Sequence, residues 1–97
     1  MSYTLHRQAE QDLEGSFAHY RLKGTDKVAL RFLAEFERVA ELIERNPELG
    51  TTTDADRRRY PFRHFPYSIV YKPVQNGIRI LVVRHDRQDP RFGNQRN

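Results

Sequence analysis

The chain has 97 residues, of which 37% are hydrophobic and 31% are charged, and its formal net charge is +4. This length is close to the commonest size of one domain, so we predict a single domain over residues 1–97. The absence of cysteine excludes disulfides and thiolate metal sites, and the four histidines have no close ligand spacing, so we expect neither a metal nor another cofactor. The longest apolar run, Ile80 to Val83, is far too short to cross a bilayer, and we expect a cytoplasmic protein without membrane contact.

The charge is unevenly distributed between the two halves of the chain. Residues 1–50 contain 7 Lys and Arg against 9 Asp and Glu, whereas residues 51–97 contain 10 against 4. Three of the five Tyr residues and half of the Phe and His residues also lie in the basic half. Such asymmetry indicates an acidic or polyanionic partner for the C-terminal half.

The first elements are predicted to be a short strand and a helix. Residues 3–6 alternate and are rich in strand-forming types, which favours a strand. From Ala9 the apolar positions become spaced by three or four, which predicts one stripe of a helix that Gly24 ends. The residues of this stripe are Ala9, Leu13, Phe17 and Tyr20.

A second helix follows at once. Thr25 and Asp26 can cap its start, and Asn46-Pro47 ends it because the residue before proline is disfavoured in a helix. Its apolar stripe is wide and contains Val28, Phe32, Phe36, Val39 and Ile43. We assign Phe32 and Phe36, with Tyr20 of the first helix, to the core. The two helices are predicted to form a hairpin.

Three strands are predicted after a polar loop at residues 51–56. The strands cover residues 57–62, 67–71 and 78–83, and Asn76-Gly77 is a turn signal between the last two. With those two residues at the centre of the turn, Tyr71 lies opposite Val82 and Ser68 lies opposite His85. Both faces of the resulting hairpin are partly apolar, so the face that meets the helices stays open. The fold class is α+β, with a short N-terminal strand, a helical hairpin and a three-stranded antiparallel sheet covered on one face by the helices.

Several segments together resemble the ParE toxins of the ParE/RelE superfamily, over nearly the whole chain. The most specific are the Phe-Pro-Tyr entry to a strand and the His-x-Arg-x-Asp-Pro-x-aromatic ending. The segments that carry the resemblance are residues 3–5, Ala9, Asp12-Leu13, residues 46–50, 63–71 and 85–92.

The resemblance implies the toxic half of a bacterial type II toxin–antitoxin system, often called a plasmid stabilisation protein, with a helical hairpin packed on a small antiparallel sheet. ParE-like members act on DNA gyrase and stall it on cleaved DNA, whereas RelE-like members cut mRNA in the ribosome. Either kind is neutralised by a cognate antitoxin, here ParD-like, and oligomers are expected to form mainly through that antitoxin. Leu33 and Leu42 are candidate antitoxin contacts on the second helix.

The chemistry of RNA cleavage bears on the choice between the two activities. Cleavage needs a base, an acid and a cation at one phosphate, and Arg63, His64, Arg84 and His85 are the candidates for a metal-independent endoribonuclease. RelE-like nucleases commonly place a tyrosine near the C-terminus, but here no tyrosine follows Tyr71. Phe92 stands where ParE-like proteins often have tryptophan, and it can stack without transferring a proton. We therefore favour inhibition of gyrase, without catalysis, over the nuclease.

The candidate partner-binding residues are basic or aromatic and lie in the C-terminal half. Plainer roles remain open, since a histidine can end a strand with its ring bonded to backbone and an arginine run can protect a strand edge. A non-toxic nucleic-acid-binding module is a third hypothesis, which predicts salt-sensitive binding to bare DNA or RNA. The candidates are Arg58, Arg59, Arg63, Tyr67, Arg84, His85, Arg87, Arg91 and Phe92.

Overall fold

The computed structural model describes residues 2–97, and this part of the chain folds into two helices and a five-stranded sheet. The elements in chain order are β1 (Ser2–Leu5), α1 (Arg7–Lys23), α2 (Asp26–Arg45), β2 (Thr51–Thr52), β3 (Arg58–Pro61), β4 (Tyr67–Val74) and β5 (Gly77–His85). The strands lie in the order β1-β5-β4-β3-β2, with β1 parallel to β5 and the other neighbours antiparallel. The predicted α+β class is confirmed, and β1 joins the sheet as an edge strand.

The helix ends follow local side-chain chemistry. Thr25 caps α2, because its hydroxyl accepts a hydrogen bond from the Val28 amide at 3.1 Å. Gly24 follows the last residue of α1, and Asn46 ends α2 with its side-chain amide donating to the Leu42 carbonyl at 3.1 Å. These predicted ends are confirmed, whereas α1 begins at Arg7, two residues before the predicted start.

One face of the sheet packs against the helical hairpin and forms the core. Phe32 and Phe36 are buried on α2 as predicted, and Tyr20 of α1 packs against the same cluster. The rings of Phe32 and Tyr67 meet edge to face with centroids 4.8 Å apart. The sheet residues in this core are Tyr67, Ile69, Tyr71, Ile78, Ile80 and Val83, so these side chains identify the face that meets the helices.

The loop predicted at residues 51–56 was wrong at its start, where the structure has the short strand β2. Thr51 pairs with Arg59 and Thr52 with Arg58. Both threonines are exposed, so the strand has no apolar alternation that a sequence pattern could reveal. Backbone pairing to β3 is its only distinguishing feature.

The predicted register of the last hairpin was also wrong. Val74 pairs with Gly77, so Gln75 and Asn76 form the turn, and Asn76 takes the positive φ of 68° that such a turn favours. Gly77 is paired with Ser2 of the parallel strand β1, and a Cβ at this position would be 2.0 Å from the Ser2 carbonyl oxygen. The close approach of β1 therefore explains this glycine better than the turn does.

A β-bulge changes the register partway along this hairpin. Tyr71 lies opposite Ile80, and not Val82 as predicted, whereas Val70 lies opposite Val82, which leaves Leu81 as the extra residue on β5. Beyond the bulge, Ser68 lies opposite Arg84 and not His85. No helix within residues 2–97 is long and apolar enough to span a membrane.

Candidate partner-binding surfaces

The sheet face that points away from the helices carries a polar network, which we call the outer sheet face and define by Arg59, Ser68, Val70 and Arg84. The Asp86 carboxylate accepts hydrogen bonds from the Ser68 hydroxyl at 3.2 Å and from Arg59 Nη2 at 3.5 Å. Arg84 is only 8% exposed, and its Nη1 donates to the Gln88 carbonyl at 3.3 Å. The Nε atoms of both arginines are buried without a hydrogen-bond partner within residues 2–97. The face is therefore positively charged and only partly compensated.

The C-terminal residues 92–97 are held against the outer side of the sheet. Arg96 donates to the Asp12 carboxylate at 2.6 Å and to the Leu81 carbonyl at 3.0 Å, and it lies 4.9 Å from the centroid of the Phe92 ring. Asp12 also accepts from the Val83 amide at 3.1 Å, which satisfies a β5 edge group that β1 does not reach.

Two arginines of the run Arg57-Arg58-Arg59, which the sequence suggests as protection for a strand edge, have backbone acceptors. Arg57 donates to the carbonyls of Gly93 and Arg96. Arg58 donates to the carbonyls of Glu48 and Gly50, at 3.1 and 2.9 Å. Both arginines therefore anchor neighbouring segments. Sequence reasoning did not find the roles of Asp12, Arg57 or Arg96, because each acts on a residue at least 36 positions away.

The remaining predicted partner residues differ in exposure. Arg87 and Arg91 are exposed, and Arg91 forms an ion pair with Asp89 at 3.0 Å. Hydrogen bonds from Arg91 hold the pKa of the Asp89 carboxyl below its usual value. Tyr67 is buried in the core, and its ring lies 5.0 Å from the ring of His85. Within residues 2–97 the Arg87 side chain forms no hydrogen bond or ion pair, so it is available to a partner.

The four candidate nuclease residues are placed in three surroundings. Arg63 and His64 lie in the turn between β3 and β4, beside α2. Arg84 lies on the outer sheet face, whereas its neighbour His85 points to the helix side and accepts the Arg87 amide at Nδ1, at 3.0 Å. Cleavage of a phosphodiester requires base, acid and cation around one phosphate, and Arg84 and His85 point to opposite faces of the sheet, so these two candidates do not meet at one site. Within residues 2–97, no group of three His, Asp or Glu side chains could hold a metal ion.

A cavity of about 540 Å³, which we call the α2 cavity, lies between α2 and the β3–β4 turn. Glu35 on its wall accepts two hydrogen bonds from Arg38, at 2.7 and 2.8 Å, and a third from the Arg63 amide at 2.5 Å. These hydrogen bonds, led by those from Arg38, hold the pKa of the Glu35 carboxyl below its usual value. The lining residues are Val28, Arg31, Ala34, Glu35, Arg38, Arg63, His64 and Phe65.

An apolar groove runs between the two helices on their outer surface. It consists of two adjoining cavities of about 230 and 200 Å³ that share Phe17. Leu33 lines the first cavity, and Leu30, which is 59% exposed, lines the second. Leu42, the other predicted antitoxin contact, is half-buried and does not line this groove.

A sheet with a helical hairpin packed on one face is the architecture expected from the toxin resemblance. A family model described as the ParE toxin of the type II toxin–antitoxin system parDE matches residues 3–90. The protein is therefore a toxin of a type II toxin–antitoxin system. Within that class, the chain belongs to the ParE toxin family.

A solved structure is similar in fold. A chain from the structure described as the chromosomal ParDE TA system from P. aeruginosa aligns with a TM-score of 0.76 and 20% sequence identity. The alignment covers 88% of this chain and 95% of that chain, and at this identity it shows a shared fold. The search of curated proteins found no match.

Proposed function

We propose that this ParE toxin inhibits DNA gyrase by stabilising its cleaved-DNA complex, and that a cognate ParD-type antitoxin neutralises it. The observation that carries the proposal is the match to the ParE toxin model over residues 3–90. Gyrase is the target that the ParE resemblance implies.

The placement of the candidate nuclease residues supports the gyrase target over mRNA cleavage. Arg63 and His64 lie beside α2, whereas Arg84 lies on the outer sheet face. No tyrosine follows Tyr71, and Phe92 has no proton to transfer. A gyrase inhibitor needs a binding surface and no acid–base pair, so the distributed arrangement is compatible with it.

We assign gyrase binding to the outer sheet face and the turn that follows β5. Arg59 and Arg84 provide partly compensated positive charge there, and the exposed Arg87 extends it. A cationic surface of this kind speeds association with an acidic partner and makes the rate dependent on salt.

We assign antitoxin binding to the interhelical groove. Its apolar lining, including the exposed Leu30, is the kind of surface that an amphipathic segment of a partner covers. Leu33 belongs to this surface, and the toxin and antitoxin would assemble into higher oligomers through the antitoxin.

The target can be tested by incubating the purified toxin with gyrase and supercoiled plasmid, and in parallel with translating ribosomes and mRNA. We expect linear plasmid to accumulate and the message to stay intact. Arg87→Glu should reduce the linear product about tenfold, because it places a like charge at the acidic partner. Arg45→Glu, an equal change of charge at the exposed end of α2, should change it less than about twofold.

Other outcomes of this assay would contradict the gyrase proposal. A cut message with intact plasmid would identify a RelE-like nuclease. No cleavage in either arm, with salt-sensitive binding to bare DNA or RNA, would identify a nucleic-acid-binding module.

The antitoxin can be tested by growth. Expression of the toxin alone should stop bacterial growth, and co-expression of the product of a neighbouring gene should restore it. Normal growth of bacteria that express the toxin alone would contradict both the proposal of an active toxin and the proposal of an antitoxin.

A further inference from the structure

The α2 cavity is lined by two cationic side chains that have no hydrogen-bond or ion-pair partner within residues 2–97. Arg31 and Arg63 are exposed, and within residues 2–97 neither guanidinium group forms a hydrogen bond or an ion pair. Arg63 is tied to the fold through its backbone amide, which donates to Glu35. Its side chain is therefore held at the cavity while its guanidinium group remains available.

The only carboxylate among the lining residues does not neutralise this pair. Both oxygens of Glu35 are engaged by Arg38, and the side chain is only 12% exposed. Three arginines, Arg31, Arg38 and Arg63, and one carboxylate line the cavity, so its lining keeps a net positive charge even though Arg63 also lies close enough to Glu35 to lower the pKa of that carboxyl. A carboxylate from outside would complete the arrangement with charge-assisted hydrogen bonds.

The apolar part of the lining indicates what kind of molecule carries that carboxylate. Val28 and Ala34 of α2 and Phe65 of the β3–β4 turn line the same cavity. Phosphate groups of a nucleic acid would gain little from these side chains, whereas a peptide can place an apolar side chain on them and an acidic one beside the arginines. Charge complementarity and apolar lining together favour an acidic peptide segment.

We propose that the α2 cavity binds an acidic peptide segment of the antitoxin, with one of its carboxylates held between Arg31 and Arg63. The inference rests on the proposed neutralisation by an antitoxin and adds a site on the flank of α2 opposite the interhelical groove. Ala34 lines the cavity and its neighbour Leu33 lines the groove, so one segment that crosses α2 contacts both.

The experiment uses the full toxin and the antitoxin identified by growth rescue, with binding measured by calorimetry. Arg31→Glu and Arg63→Glu should each weaken binding about tenfold or more, since they place a carboxylate against the incoming one. Both side chains are exposed and form no hydrogen bond or ion pair within residues 2–97, so we expect these variants to keep the fold, which thermal unfolding checks. The matched control is Arg45→Glu, about 21 Å farther along α2, and it should change affinity less than about twofold.

A charge exchange identifies the carboxylate. Each Asp or Glu of the bound antitoxin segment is replaced in turn by Arg, and one replacement should restore affinity for the Arg31→Glu toxin while weakening affinity for the original toxin. Restoration by one position and not by the others would locate the contact, because long-range attraction does not distinguish them.

The outcomes separate this inference from the proposed function. If an antitoxin rescues growth but binds both cavity variants as tightly as the original toxin, the cavity proposal is overturned and neutralisation stands. If no product rescues growth, both are overturned. The cavity proposal also fails if the variants abolish self-association of the free toxin, or its binding to a bare oligonucleotide, while antitoxin affinity is unchanged.

Discussion

Replacing Tyr71 with phenylalanine should destabilise the fold, because the hydroxyl of this buried tyrosine connects β4 to the segment after α2. The hydroxyl accepts a hydrogen bond from the Gly50 amide at 2.9 Å and donates one to the Pro47 carbonyl at 2.8 Å. A Cβ at residue 50 would be 2.6 Å from the same hydroxyl, so glycine is what allows this approach. The tyrosine therefore positions the segment that leads from α2 into β2.

The magnitude depends on whether water can replace the lost partner. Gly50 is buried, so its amide would be left without an acceptor, at a cost of about 1–3 kcal/mol. Pro47 is only partly buried, so its carbonyl can recover a hydrogen bond to water at small cost. We expect Tyr71→Phe to lower the free energy of unfolding by about 2 kcal/mol, which corresponds to a Tm lower by about 8–16 °C for a domain of this size.

Urea and thermal unfolding followed by circular dichroism measure the effect. The matched control is Tyr60→Phe, since Tyr60 packs at the edge of the core and its hydroxyl has no hydrogen-bond partner within residues 2–97. Its change should stay within about 0.5 kcal/mol. Equal stability of the Tyr71→Phe variant and the original protein, or equal losses in both variants, would refute the reasoning.

Three further changes test the tertiary contacts. Gly77→Ala should displace β1 and lower stability in a thermal melt, because its Cβ would meet the Ser2 carbonyl at 2.0 Å. Asp12→Asn should lower the free energy of urea unfolding by about 2–4 kcal/mol, since it leaves the largely buried Arg96 without its counter-charge. Stability should also fall above about pH 10: burial raises the pKa of Tyr71, so the folded state keeps a proton that the unfolded state releases, and in Tyr71→Phe the slope should be smaller by up to about 1.4 kcal/mol per pH unit.

Each of these expectations has its own control. Gly15→Ala lies in α1 with open space around the new Cβ and should raise stability by about 1 kcal/mol; a loss there as large as at Gly77 would contradict the steric explanation. A double-mutant cycle between Asp12→Asn and Arg96→Met should show coupling of about 0.5–3 kcal/mol, and strict additivity would show that the pair does not interact. An unchanged alkaline slope in Tyr71→Phe would exclude the contribution of that hydroxyl.

The helices could be predicted because their signals are local. The apolar stripe of α2 and its Thr25 cap lie within the helix that they specify, and both were confirmed. The hairpin of β4 and β5 was also found, but its register was not, because the apparent turn signal at Gly77 reflects the passage of β1 from the other end of the chain. A pattern of neighbours contains no information about such a contact.

The sequence identified the types of residue that form the candidate surfaces, but it did not show which of these residues lie together. The basic, aromatic C-terminal half was evident from composition, and Arg59, Arg84 and Arg87 were named from it. Arg59 and Arg84 lie on the partly buried outer sheet face, where Asp86 and Gln88 accept hydrogen bonds from them, whereas Arg87 lies in the exposed turn that follows β5. The α2 cavity was not predicted, because it joins a helix flank to a turn 28 residues later.

The sequence by itself determined both helices, four of the five strands, the ends of α2 and the segregation of charge. These follow from interactions between residues a few positions apart and from composition, which act in any conformation of the chain. Only the tertiary structure decided the parallel pairing of β1 with β5, the bulge at Leu81 and the holding of the C-terminus by Arg96 and Asp12. These features depend on contacts between segments that are distant in the sequence. Such contacts form, and stabilise the fold, only after packing of the core has brought the segments together.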